Sequence, residues 1–204
     1  MLFRSPSDGL FVLADGGTFN VLKVGDDTPD VPEVLYEEIE YVTFDGSNVF
    51  DTLHKGNNLT TIEIKFERSS VTTNVYLLGS SGTSTTYLNA YMASNGNWRY
   101  GSYQKVYNTR QRKLFIAEIT PGRITVDGVS GEFTPTVFTT SNTLAVGGRK
   151  TSSTVFDNYF QGYIYYFRMS IDGVQVCDWI PVRRLSDGLE CFWDKVTQKF
   201  IEPI

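Results

Sequence analysis

Phe160-Gln-Gly-Tyr-Ile-Tyr-Tyr-Phe-Arg-Met-Ser-Ile-Asp-Gly173 decides the fold. A run this rich in Tyr, Phe and Ile, closed by Asp172-Gly173, reads as a long β-strand entering a tight hairpin. Ile124-Thr-Val-Asp127-Gly128 repeats the pattern earlier in the chain. Two such signals point to a large antiparallel β-structure.

Working outward, strands are expected over 38–44, 48–52, 60–67, 74–78, 86–92, 98–101, 113–119, 123–126, 143–146, 162–171, 174–180, 190–194 and 199–201. Turn dipeptides punctuate them: Asp45-Gly46, Asn95-Gly96, Pro121-Gly122, Asp127-Gly128, Asp172-Gly173 and Asp187-Gly188. No stretch carries a sustained helical period, so the fold class is all-β, a two-sheet antiparallel jelly-roll sandwich. Residues 36–204 are expected to form that domain.

Residues 1–35 read as a separate element. Two apolar runs, 10–14 and 19–24, flank Asp15-Gly16-Gly17, a small N-terminal β-hairpin signal. Gly25-Asp-Asp-Thr-Pro-Asp-Val-Pro-Glu33 is then an acidic, proline-bearing connector. A lone hairpin is marginal in water, so attachment or assembly is the expected role.

The 204 residues carry a net charge of −5, which argues against nucleic-acid capture. No segment approaches the ~20 apolar residues of a spanning helix, so no membrane insertion is expected. The first ten residues lack a secretory signal core; with Met1 as the natural start, the chain is expected to be made and kept in the cytoplasm, or to leave it in an assembled particle. A hairpin through Ser186-Asp187 pairs Cys191 with Val182 and holds Cys177 several residue pairs away. Two reduced thiols are therefore expected. His54 is the single histidine, and no Cys pair has zinc-ligand spacing.

Several segments, in order, resemble a family. Phe44-Asp-Gly-Ser-Asn-Val-Phe-Asp-Thr52 looks like the opening strand pair of concanavalin A-like, laminin G-like jelly rolls. The hairpin spanning Leu114 to Gly128, Leu144-Ala-Val-Gly-Gly-Arg149 and the 160–169 strand resemble the strands that follow. The stretches 180–188 and 192–200 look like the tail of a subgroup common in bacteriophage and gut-bacterial proteins. The resemblance covers about 36–204 and implies a jelly roll used for carbohydrate or protein recognition. No cofactor is expected; the resemblance adds calcium as the alternative, with Asp45, Asp51, Asp127 and Asp157 candidates by residue type alone and turn or edge use the competing reading of each, and the metal itself stays unassigned.

Hydrolases of this superfold carry paired carboxylates on one strand. The nearest approach here is Glu63-Ile-Lys-Phe-Glu67, where Lys65 stands in the place of the central acid. That strand reads as a solvated charged face over an apolar one. With no Gly-x-Ser-x-Gly elbow and no phosphate-binding glycine loop, no catalytic residues are assigned and no enzyme activity is expected.

The segment from Tyr87 to Gln104 carries the candidate ligand site. If Asn95-Gly96 makes a two-residue turn, Tyr91 opposes Tyr100, and alternation gathers Tyr87, Asn89, Tyr91, Trp98, Tyr100 and Gln104 on one face. Flat rings mixed with amides suit sugars, whose C–H faces stack while hydroxyls bond to amides. The reverse arrangement, with these aromatics as core and Leu88, Ala90 and Met92 under another layer, stays open.

The expected function is a non-catalytic recognition or structural protein of a bacteriophage particle (tail, fibre or capsid-decorating). It would bind host-surface glycan or cell-surface protein and contact other virion proteins through residues 1–35, with a homo-oligomer compatible. The alternative is a carbohydrate-binding module or adhesin fragment of a secreted or cell-surface bacterial protein.

Overall fold

The computed structural model describes residues 36–69, 75–80, 86–92, 97–107 and 113–204, together with the backbone of two short N-terminal strands. Strands dominate, and no helix occurs among the described residues. In chain order they begin β1 (Leu2–Arg4), β2 (Phe11–Leu13), β3 (Tyr36–Glu38), β4 (Val42–Asp45), β5 (Phe50–Asp51), β6 (Thr60–Arg68) and β7 (Val75–Ser80). Next come β8 (Tyr87–Met92), β9 (Asn97–Gly101), β10 (Tyr103–Val106), β11 (Leu114–Thr120), β12 (Arg123–Val126) and β13 (Val129–Glu132). The chain closes with β14 (Ala145–Val146), β15 (Arg149–Lys150), β16 (Phe156–Asp157), β17 (Gln161–Ile171), β18 (Val174–Arg184), β19 (Glu190–Asp194) and β20 (Lys199–Ile201).

Two sheets stack as an all-β jelly-roll sandwich. One runs β13-β12-β11-β6-β17-β18-β19-β20; the other runs β10-β9-β8-β7-β14-β5, with β15 joining β7 and β16. β17 and β18 pair from Ile171↔Val174 to Phe167↔Trp179, then diverge. β4 fills the opening along β17, and β3 fills it along β18.

The turns follow from their residues. Asp172 and Gly173 both have positive φ, 52° and 77°, as do Asp127 and Gly128 at 51° and 79°. Asp-Gly tolerates that geometry, which matches the right-handed twist of the strands it joins. Asp187-Gly188 closes β18 to β19 in the expected register, with Val182 opposite Cys191.

Alternation then builds the core. β6 buries Ile62, Ile64 and Phe66 and turns Glu63, Lys65 and Glu67 outward. Phe44, Phe50, Phe160 and Phe192 meet edge-to-face or tilted at centroid distances of 4.9–6.4 Å. Each such ring contributes roughly 1.5–3 kcal/mol by leaving water.

Two bulges interrupt the period in opposite senses. Between Tyr76↔Tyr91 and Leu78↔Ala90, β7 holds an extra residue, so Leu77 and Leu78 both turn inward. Between Ile164↔Phe66 and Tyr166↔Lys65, β17 does the reverse, and Tyr165 and Tyr166 both lie outside the core.

At the N-terminus, β2 pairs with β1 (Leu2↔Leu13 to Arg4↔Phe11). The expected turn at Asp15-Gly16-Gly17, the second run 19–24 and the connector lie outside the described residues.

Both cysteines are buried free thiols. Burial raises both thiol pKa values, that of Cys191 to about 11. At pH 8 neither is expected to react with a maleimide in the native protein, and both should react in denaturant. Mass spectrometry of the labelled chain reads the result, and rapid labelling of the folded protein would contradict this packing.

Candidate recognition cleft

The β8–β9 hairpin sets the site, and its register differs from the two-residue turn expected. Tyr91 opposes Asn97, Ala90 opposes Trp98, Asn89 opposes Arg99 and Leu88 opposes Tyr100. The pairing is displaced by three residues. An odd displacement exchanges the faces of one strand relative to the other. Trp98 and Tyr100 therefore point inward with Leu88 and Ala90, at 0% and 1% exposure. This corrects their assignment to the ligand face.

The reason is energetic. The two-residue turn would have put the small residues of β8 and the large rings of β9 on opposite faces. The observed register buries both sets together. Trp98 lies 6.4 Å from Phe66 and 6.2 Å from Tyr107, and Tyr100 donates its hydroxyl to the Thr60 carbonyl at 3.0 Å.

The remaining expected residues share the outer face. One cross-strand row reads Asp51, Ala145, Gly79, Asn89, Arg99, Gln104, and Gln104 is exposed at its end. Tyr87 and Tyr91 flank Asn89 along β8, and Tyr76 of β7 stands opposite Tyr91. Tyr76, Tyr87, Asn89, Tyr91 and Arg99 line a shallow cleft of about 160 Å³. Its size suits one small ring rather than an enclosed ligand of ~300–1,000 Å³.

Its two ends are built alike, each from a guanidinium on a tyrosine. At one end, Tyr76 and Tyr91 pack with centroids 4.6 Å apart, and the Arg149 guanidinium sits 4.8 Å from the centre of the Tyr76 ring. Arg149 donates to both Asp157 carboxylate oxygens, at 2.9 and 2.5 Å, and to the Tyr76 hydroxyl at 3.2 Å. Those bonds to Asp157 raise the Arg149 pKa, while burial raises that of Tyr76. At the other end, the Arg99 guanidinium lies 5.0 Å from the centre of the Tyr87 ring.

Gly79 makes the first end possible. A Cβ there would stand 3.2 Å from both Arg149 Cβ and Tyr76 Cδ1, so glycine lets Arg149 lie across the sheet without either side chain having to shift.

Tyr76, Arg99 and Arg149 escape the sequence reading. Arg99 lies between Tyr87 and Gln104, but a two-residue turn at Asn95-Gly96 would place it on the opposite face. Tyr76 and Arg149 come from other strands and meet the site only through pairing.

The other expected residues have different partners. Glu63 accepts from the Tyr166 hydroxyl at 2.6 Å and from Arg168 at 3.4 Å; Glu67 accepts from the Tyr165 hydroxyl at 3.2 Å. Burial, with the hydrogen bonds to these carboxylates added, pushes Tyr165 and Tyr166 up to about 12.

The four aspartates named for calcium are each engaged separately. Asp45 accepts from the Ser47 hydroxyl and amide, Asp51 pairs with Lys150, Asp127 with Lys113, and Asp157 with Arg149. Among the described residues no three His, Cys, Asp or Glu side chains gather where they could hold a metal ion.

No family model and no curated protein matches the chain. Among solved structures it is similar to domains LG4-5 of the mouse laminin alpha1 chain, at 22% identity and a TM-score of 0.45, over 66% of this chain and 41% of that one.

Proposed function

We propose that this domain is a non-catalytic recognition module that binds a sugar ring in the cleft on the outer face of β7, β8 and β9. One observation carries the reading: three tyrosines, a carboxamide and an arginine converge on one shallow ring-sized cleft. Tyrosine faces take the C–H surface of a pyranose, and the amide and guanidinium address its oxygens. The described residues that line the cleft include no carboxylate, which supports a reading without glycoside cleavage.

As its setting we propose display on a bacteriophage particle, with residues 1–35 as the attachment to other virion proteins. The β1–β2 ladder supports that role, since two strands alone need something to pack on.

The test is a glycan array followed by calorimetric titration of the best ligand against the native protein and Tyr91→Ala. Removing the ring is expected to weaken binding about tenfold or more, roughly 1–3 kcal/mol for a lost stacking face. Binding that survives the substitution unchanged would move the ligand elsewhere.

A further inference from the structure

The recognition reading leaves the sugar unnamed, and the polar atoms of the cleft narrow it. Asn89 is the floor residue, 3% exposed, and its Oδ1 is shut off from solvent with no donor in reach. Almost all buried acceptors in folded proteins are satisfied, and an orphan costs about 1–3 kcal/mol. An acceptor without a donor, on a residue that lines the cleft, is a place for a ligand's donor once the side chains over it move aside.

Directly across the strand pair stands Arg99. Its guanidinium stacks on Tyr87 and forms no ion pair among the described residues. Arg149 differs, because Asp157 takes its charge. Asn89 and Arg99 are opposite neighbours, with Cβ atoms about 5 Å apart. Among the described residues the cleft thus offers an acceptor lacking a donor beside a cationic donor lacking an acceptor, between two tyrosine clusters.

Single groups satisfy this pair incompletely. A carboxylate answers Arg99 but brings no hydrogen to Asn89. A lone hydroxyl can donate to Asn89 and accept from Arg99 through its one oxygen, but it offers the cation a weaker acceptor than an amide carbonyl and cannot spread the two bonds over two atoms. A secondary amide carries N–H and C=O on opposite edges of one rigid plane and meets both demands at once.

Resting on the recognition reading above, we infer that the cleft selects N-acylated amino sugars. The amide N–H donates to Asn89 Oδ1, Arg99 donates to the acyl carbonyl, and the acyl methyl packs on a tyrosine ring while the pyranose lies against another. Reaching Asn89 takes a rotamer change in Arg99 or a lining tyrosine, the usual scale of adjustment on binding.

The experiment titrates the full chain with N-acetylglucosamine and N-acetylgalactosamine, with glucose and galactose, and with glucuronic acid. The acetamido sugars are expected to bind at least about tenfold tighter than their parents, the return on two hydrogen bonds, one of them charge-assisted. Saturation-transfer NMR on the native protein should show the acetyl methyl among the most strongly saturated protons. Asn89→Leu should remove the preference while retaining residual ring binding, with thermal unfolding reporting that the variant is folded.

Equal affinity for acetylated and parent sugars, lost in Tyr91→Ala, would overturn this inference and leave the recognition reading standing. Tightest binding of glucuronic acid would make the cleft an anion site and would also overturn it. No binding of any of these sugars, with an empty glycan array, would remove both.

Discussion

Trp98→Ala is expected to destabilise the fold by about 3–5 kcal/mol, the range for deleting a large buried aromatic ring. Trp98 is fully buried between Phe66 of the facing sheet and Tyr107, which directly follows β10. Its Nε1 meets no acceptor, so the loss is one of packing and apolar burial rather than of hydrogen bonding. Urea unfolding reads the effect as a lower midpoint at unchanged slope. Tyr91→Ala serves as the contrast. Its half-buried ring leaves one partner, Tyr76, and the expected cost is about 0.5–1.5 kcal/mol. The pair of variants separates stability from recognition: Trp98→Ala weakens the fold, while Tyr91→Ala weakens binding. A Trp98→Ala protein as stable as the native one but unable to bind sugar would restore the register with Trp98 on the ligand face.

That contrast marks how far the sequence could be read. Long strands closed by Asp-Gly were legible because composition and turn chemistry agree there, and β17, β18 and β19 pair as their residues predict. Three of the five residues that line the candidate cleft were legible too. Tyr87, Asn89 and Tyr91 share a face by simple alternation along β8, and Gln104 joins their face through its pairing with Arg99. What failed was the relation between β8 and β9. Asn95-Gly96 is a strong turn signal, but it does not fix how many residues the connection spans, and one odd step inverts a whole strand. The competing signal was present in Trp98 and Tyr100, whose rings gain more from the core than from a solvent face. Tyr76 had no local signal. It reaches the cleft because the bulge at Leu77 turns two consecutive leucines inward, and that depends on the partner strand.

Breaking the Lys150–Asp51 pair is the second large effect expected. Both residues are 8% exposed, and the pair joins β15 to β5 across 99 positions of sequence. Lys150 also donates to the Thr143 hydroxyl at 2.8 Å, and the second Asp51 oxygen accepts from the Leu53 amide at 2.9 Å. Lys150→Met leaves a carboxylate buried without its cation, and Asp51→Leu leaves an ammonium in the same position. Each is expected to cost about 3–5 kcal/mol. The double variant removes both charges and should recover much of that loss, although the Leu53 amide then lacks its acceptor. Equilibrium unfolding of the four proteins gives the coupling directly, and additive losses would show that the two charges do not act as a pair. Arg149 immediately precedes Lys150 and lies over Tyr76 at the rim of the cleft. The same ion pair that holds β15 to the sheet therefore also holds the guanidinium in place, so Lys150→Met should weaken sugar binding even at temperatures where the variant remains folded.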